Sequence, residues 1–405
     1  MALGALAASS ALAEQPLSAV ALAAPAGERA SEVSPEGQSR WAPSGAEDSL
    51  WLQGPLTGEW KLAVGSMGLL SENDEKLAAV LEIQPQFSYR FHEQLQLKTS
   101  FFLNFSSERE QTAFANTELE GRVISLRQAE VEYSPFEFLK FSAGAVSQAC
   151  CYLSDLVISG RQTFPGVTQS LSWAWRDNLK LEARAQQTIP TSRSQSSQRQ
   201  EREPLPAFVS ESLALLWSPT VDLGLEAFVT HYRFYDLPAQ VAFVGRERGN
   251  TILDPTPGRA RFQEEFNGYI LGAASQFRPG PRWELRGALE SIHNLDAPAT
   301  YGRGEKVSMG LSYDFGSWVF SPQYFVFYNE SDTAPAFYNS GSLGHNNRRG
   351  QGVEFTLDFR DLGFALRAHY VQSDLINDSD RGAVRYIQVP QQYFFIKLET
   401  NYADI

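Results

Sequence analysis

This 405-residue chain has little that could staple it, hold a metal ion or carry it across a bilayer as a helix. It has two cysteines, and they are adjacent, Cys150 and Cys151. Such a pair gives neither a disulfide framework nor a zinc-ligand spacing. It is either a vicinal disulfide in an oxidising compartment or two loop thiols. The five histidines are His92, His231, His293, His345 and His369, and none stands at ligand spacing to Cys or acid or in a His-Glu-x-x-His run. No metal site and no cofactor is expected. Beyond the N-terminus there is no run of about 20 apolar residues, which excludes spanning helices. Net positive charge is also missing: the formal charge is -13, which argues against nucleic acid as a partner.

What the chain does have is alternation with a period of two. In Leu179-Lys180-Leu181-Glu182-Ala183-Arg184-Ala185 every second residue is apolar and those between are charged. The pattern returns at 283–290 and 353–359. Successive side chains of a strand point to opposite faces, so each segment has one greasy and one charged face. The mean hydropathy of -0.29 suits a soluble protein, yet alternating membrane strands give a far weaker hydropathy signal than spanning helices.

The connections between these segments alternate between short and long. Short polar ones lie at His92-Glu93-Gln94, Ser134-Pro135-Phe136, Arg176-Asp177-Asn178, Ser218-Pro219-Thr220, Pro279-Gly280-Pro281, Phe315-Gly316-Ser317 and Arg360-Asp361-Leu362. They carry the Pro, Gly, Asp and Asn that tight turns need. Between them run long polar stretches at 106–122, 188–206, 234–264, 329–350 and 374–390. The spacing predicts strands at 58–69, 78–91, 95–106, 122–133, 138–148, 167–176, 178–188, 207–217, 220–233, 266–278, 282–293, 305–315, 317–329, 351–360, 362–373 and 390–402. That is about sixteen, an even number. The fold class is therefore all-β: a transmembrane antiparallel up-and-down β-barrel over 56–405, with short periplasmic turns and long extracellular loops. Turns recur roughly every 42–45 residues, close to a propeller blade. A blade, however, packs four short strands into that length, and here there are two long ones.

The phases agree between strands. Ala79, Leu81, Ile83, Phe87 and Tyr89 would face lipid, with Glu82, Gln84, Gln86, Ser88 and Arg90 facing water. Charge on the lipid face costs about 2–4 kcal/mol near the midplane, so its absence from one phase has meaning. Arg127 breaks the pattern by sharing the phase of Ala129 and Val131, which predicts a bulge there or a strand end standing above the lipid. The water-facing set predicted to line the bore comprises Glu82, Arg90, Lys98, Glu130, Glu132, Arg176, Lys180, Glu182, Arg184, Glu226, Glu284, Arg286, Glu354, Arg367, Lys397 and Glu399. Opposed charges in a wet lumen need no catalytic explanation, and no enzyme is expected. Basic residues concentrate at the turn end. They either form a positive vestibule that favours anions or pair with neighbouring acids and cap the rim. Aromatic residues such as Trp173, Trp175, Trp217, Trp283, Phe315, Trp318 and Tyr402 gather beside the short turns, as an interfacial girdle would.

The third loop, 148–166, is unusually apolar, with Leu153, Leu156, Val157, Ile158 and Phe164 needing burial. The expectation is that it folds into the lumen and presents Asp155 and Arg161 at a constriction. At the N-terminus, residues 1–13 are apolar and end in a small-x-small pattern, Ala11-Leu12-Ala13, without a basic start. They read as a signal-peptide remnant. Residues 14–55, rich in Ala, Ser, Pro, Glu and Gly, read as a flexible periplasmic lead-in.

Ala129-Glu130-Val131-Glu132-Tyr133-Ser134-Pro135-Phe136 followed by Leu139-Lys140-Phe141-Ser142-Ala143-Gly144 resembles a hairpin of bacterial outer-membrane porins of the phosphate-selective type. The likeness covers about sixteen residues. The chain departs from the class in lacking a Pro-Glu-Phe-Gly-Gly constriction motif and in ending at Ile405 rather than Phe. The resemblance implies a barrel in a Gram-negative outer membrane, in contact with lipid and lipopolysaccharide. It also implies passive diffusion of small hydrophilic solutes or ions, and a homotrimer by analogy. The alternatives are a non-conducting structural or surface-binding barrel and, third, a lipid-acting barrel enzyme using an outward histidine such as His231.

Overall fold

The computed structural model describes residues 56–71, 75–106, 122–176, 178–190, 203–256, 258–377, 388–400 and 403–404. The segments expected to be a signal remnant and a lead-in, 1–13 and 14–55, lie outside the described residues, as does Tyr402.

Sixteen strands follow one another around a single sheet. They are β1 (Leu56–Ser71), β2 (Glu75–His92), β3 (Leu95–Ser106), β4 (Arg122–Phe136), β5 (Leu139–Ser147), β6 (Thr163–Arg176), β7 (Leu179–Thr188) and β8 (Ala207–Thr220). The second half is β9 (Leu223–Tyr235), β10 (Asn267–Gly280), β11 (Trp283–Asn294), β12 (Arg303–Asp314), β13 (Trp318–Asn329), β14 (Arg348–Phe359), β15 (Phe364–Leu375) and β16 (Gln391–Thr400). Each pairs antiparallel with the next in sequence. The sheet closes where β1 meets β16, from Ala63 opposite Glu399 to Ser71 opposite Gln391. A two-residue strand at Ala403–Asp404 extends that seam against Trp60 and Glu59. Closure leaves no unpaired strand edge in the ring.

Exposure alternates along the strands. On the outward phase Leu181, Leu285, Leu289, Phe355, Val307, Met309, Ile396 and Leu398 are exposed, while Glu182, Lys306, Glu354 and Glu399 on the inward phase are buried. An exposed apolar band around a closed barrel is the exterior of an outer-membrane barrel, whose solvent at that depth is hydrocarbon. The aromatic residues beside the turns point outward: Trp173, Trp175, Trp217, Trp283 and Phe315 are exposed. They pair with neighbours, as in Phe315 against Trp318 at 3.7 Å and Trp283 against Tyr313 at 4.3 Å between ring centroids.

Local sequence sets the irregularities. Pro135, Pro219 and Pro279 cannot donate to the ladder, and the register shifts where each stands, at Tyr133/Phe136, Trp217/Thr220 and Phe277/Gly280. On β4 the register jumps from Gln128 opposite Ser100 to Leu126 opposite Phe101, leaving Arg127 as the extra residue of a bulge. Its guanidinium lies 4.5 Å over the buried ring of Phe102 and donates to the Arg161 carbonyl at 3.0 Å.

Most strand ends fall within three residues of the sequence reading, and the largest difference is at the third loop. The third loop was expected to end at residue 166, but β6 begins at Thr163, which pairs with Ser147. Pro165-Gly166 reads as a strand breaker. Here Gly166 lets the neighbouring strand come close, since a Cβ on it would lie 2.3 Å from the Gln187 carbonyl oxygen.

The exterior and interior phases make opposite demands on the same substitution. Leu289 points outward at mid-strand in β11 and its neighbour Ala288 points inward. Leu289→Arg should lower barrel stability in lipid vesicles by about 2–4 kcal/mol, with Ala288→Arg costing far less. Denaturant titration of the two variants measures this, and equal costs would contradict the assignment of faces.

Candidate functional site

The turn-side half of the inner wall is built from charged side chains that meet because a strand puts residues i and i+2 on one face. Lys180 and Arg184 flank Glu182 on β7, each at 2.9 Å. Arg286 shares β11 with Glu284, and Arg278 reaches the same carboxylate from β10 at 3.0 Å. Lys98 on β3 and Lys140 on β5 both sit 3.0 Å from Glu132 on β4, between them. At the closing seam Glu399 on β16 is shared by three cations: Lys61 and Lys397, each at 3.1 Å, and Arg367. Lys397 also lies 3.6 Å from Glu82.

Charge is not shared evenly between bore and wall. In the clusters on Glu132, Glu182 and Glu284 the cationic side chains are 27–47% exposed, and the carboxylates are 7–14% exposed. The other predicted acids are also withdrawn. Glu130 is buried and accepts from Gln128 at 2.7 Å, Glu226 is buried, and buried Glu354 lies 3.7 Å from His369. Arg90 and Arg176 are exposed at the turn end.

The loop-side half is different, because loop segments of the chain are inserted into it. The segment 148–162 leaves β5 and reaches the inner faces of strands around the barrel. The Tyr152 hydroxyl donates to Glu182 on β7 at 2.7 Å. Ser212 on β8 and Thr230 on β9 donate to the Cys151 and Tyr152 carbonyls at 2.9 and 3.0 Å. Ser154 donates to Glu290 on β11 at 2.5 Å, and Asp155 lies 3.7 Å from Lys306 on β12. Arg161 stays at the opposite end of the segment, its guanidinium 6.0 Å from the Phe102 ring on β3. Asp155 and Arg161 are thus held against different walls. Leu156, Val157 and Ile158 are fully buried. Cys150 and Cys151 form a vicinal disulfide at the root of the segment.

A second inserted loop locks onto this one, and a third locks onto the second. Residues 330–347 meet the segment 148–162 through Ser159 N donating to the Tyr338 carbonyl at 2.8 Å and Ser340 N donating to the Asp155 carbonyl at 2.9 Å. Residues 236–266 carry a helix α1 (Ala239–Glu247) and the short strand pair Ile252–Leu253 with Arg261–Phe262. The Asn250 and Asn346 amides each donate to the carbonyls of Ser331 and Ala334, at 2.7–2.9 Å. Thr251 N donates to Asp332 at 2.9 Å. Burial pushes the Asp332 carboxyl up to about 6. Burial, with Arg248 and Arg348 nearby, holds His345 well below its ordinary value.

Two inner features had little sequence signal. The polar composition of 330–347 suggested an exposed loop, whereas Ala334, Ala336 and Tyr338 are fully buried. Only the short apolar run 334–338 hints at this. A row of stacked rings also lines β13 to β16: Phe325 against His369 at 5.7 Å and His369 against Phe395 at 5.1 Å. Phe325 and Phe395 occupy inward positions among polar ones, and that inversion of type was the available clue. On the outer face His231 bonds Asn267 Oδ1 at 2.9 Å. Among the described residues no group of His, Cys, Asp or Glu is arranged to hold a metal ion.

Among solved structures the chain is similar to OccAB2 of Acinetobacter baumannii at 10% identity, over 86% of this chain and 98% of that one, with a TM-score of 0.47. It is similar to Salmonella typhi OmpF in complex with daunomycin at 11% identity, over 85% and 97%, with a TM-score of 0.48. It is also similar to Pseudomonas aeruginosa OprD at 10% identity, over 86% and 95%, with a TM-score of 0.45. These are outer-membrane porins. No family model and no curated protein sequence matches the chain.

The raised Asp332 makes the junction of these loops sensitive to pH. An acid whose folded value is raised stabilises the folded arrangement fully below its ordinary range near 4. That contribution is lost as pH rises through about 6. Asp332→Asn keeps an acceptor for Thr251 N and cannot ionise. Hydrogen exchange over 330–347, compared between variant and wild type at the same pH, should be slower in the variant by about a hundredfold at pH 7.5 and unchanged at about pH 3. Equal rates at both pH values would contradict the assignment.

Proposed function

We propose that the chain is a porin that lets small hydrophilic solutes or ions diffuse passively across a Gram-negative outer membrane. One observation carries the reading: a closed barrel with an apolar exterior has charged, partly hydrated side chains on its inner wall, as at Lys98, Lys140, Lys180 and Arg286. Such side chains need water beside them, and water beside them makes a bore. The lining set is the sixteen residues named from the sequence. The segment 148–162 acts as its constriction. Its reach from Arg127 on β4 to Lys306 on β12 supports this reading. The partners are outer-membrane lipid outside and the solute within, and the proposed assembly is a homotrimer.

The pure protein reconstituted in planar bilayers should give discrete conductance steps. Silent bilayers, with the protein inserted, would favour a non-conducting surface barrel. Deleting 152–160 should raise single-channel conductance at least about twofold, and unchanged conductance would remove the constriction role. Native mass measurement in detergent should give three copies, and a monomer would overturn the assembly.

A further inference from the structure

We infer that the bore selects for anions, and that four acid-centred clusters on its turn-side wall are the selecting element. The inference rests on the porin reading and names the solute class for it.

In each cluster more cations than acids meet. Glu132, Glu182 and Glu284 are each contacted by two cations, and Glu399 by three, with Glu82 as a second acid at that last site. Every cluster therefore keeps an excess of positive charge after pairing. The clusters are also spread around the ring: β3 to β5, β7, β10 to β11, and β15 to β1. A solute at the turn-side mouth meets positive charge on every side, not one basic patch facing an acidic one. Burial sharpens the effect. In the Glu132, Glu182 and Glu284 clusters the carboxylates lie back against the wall while their cations reach toward water; at Glu399 the cations Lys61 and Lys397 are themselves withdrawn, and that cluster contributes by its count of charges alone. A charge in the bore interacts with the nearer, hydrated partner, and low-dielectric walls focus that field along the bore. The inward acids Glu130 and Glu226 do not reverse this, since both are buried in the wall. The chain's charge of -13 overall says nothing about the sign inside, because selectivity reads local charge.

The test is a reversal potential across a tenfold KCl gradient, with the full chain in planar bilayers. Chloride permeability should exceed that of potassium by at least about threefold at 0.1 M salt. It should fall toward parity at 1 M, as the screening length shrinks from about 10 Å to about 3 Å. Potassium preference at low salt would overturn the inference while leaving the pore intact. Absence of any conductance would instead overturn the porin reading beneath it. Two variants assign the effect. Lys98→Gln with Lys140→Gln should lower the chloride-to-potassium ratio about twofold, and Glu132→Gln should raise it. Movement of both in the same direction, or of neither, would overturn the role of the clusters.

Discussion

Everything in this molecule depends on the closing of the backbone ladder. Inside hydrocarbon an unpaired N–H or C=O costs several kcal/mol, and no water is present to take its place. A sheet can meet that demand only by having no edge. The pairing of β1 with β16 is therefore the constraint from which the rest follows. Once the ring is shut, every strand has two neighbours and its side chains have only two destinations. One is a surface wetted by lipid and the other a bore wetted by water or filled by chain. The period-two alternation of the sequence is the direct record of that choice.

The interior then solves two different problems along its length. Near the turns it is lined by charged residues that pair with one another, several of the cations staying partly exposed. Near the loops the three inserted segments bring their own polar backbone into the barrel, where water no longer serves every group. Their amides and carbonyls find partners among themselves and in the wall. Asn250 and Asn346 act as paired brackets on the carbonyls of Ser331 and Ala334. A loop rich in Asn and Ser thus reads as solvent-exposed from composition, yet here it is the means by which buried backbone is satisfied.

That difference explains what could be read from the sequence. The strand positions were legible, because an outward strand face tolerates almost no charge. Even Arg127, the residue out of phase, marked the place where an extra residue turns the side chain inward. The start of β6 was not legible, because Pro165-Gly166 has the composition of a turn. Only the close approach of Gln187 reveals why a glycine is wanted there. The partners of the inner charges were half legible. Residues two apart on one strand, such as Lys180, Glu182 and Arg184, are neighbours by geometry alone. Lys61 and Arg367 meeting Glu399 requires knowing the closure register. The loop-to-loop bonds were not legible at all, since they join residues that no local pattern relates.

The sign of the inner surface has a source more general than the count of charges. Lysine and arginine carry their charge on stems of three or four methylenes, and glutamate carries its own on two. When such residues alternate on a concave wall, the short acids end near the backbone and the long cations extend past them. A cation that folds back to meet an acid, as Lys140 does with Glu132 across one strand, still leaves part of its head in water. Pairing therefore anchors the carboxylate more than it hides the cation. A wall with equal numbers of both charges would already look positive from the middle of the bore. Here, with two or three cations sharing one acid, side-chain length and stoichiometry act in the same direction.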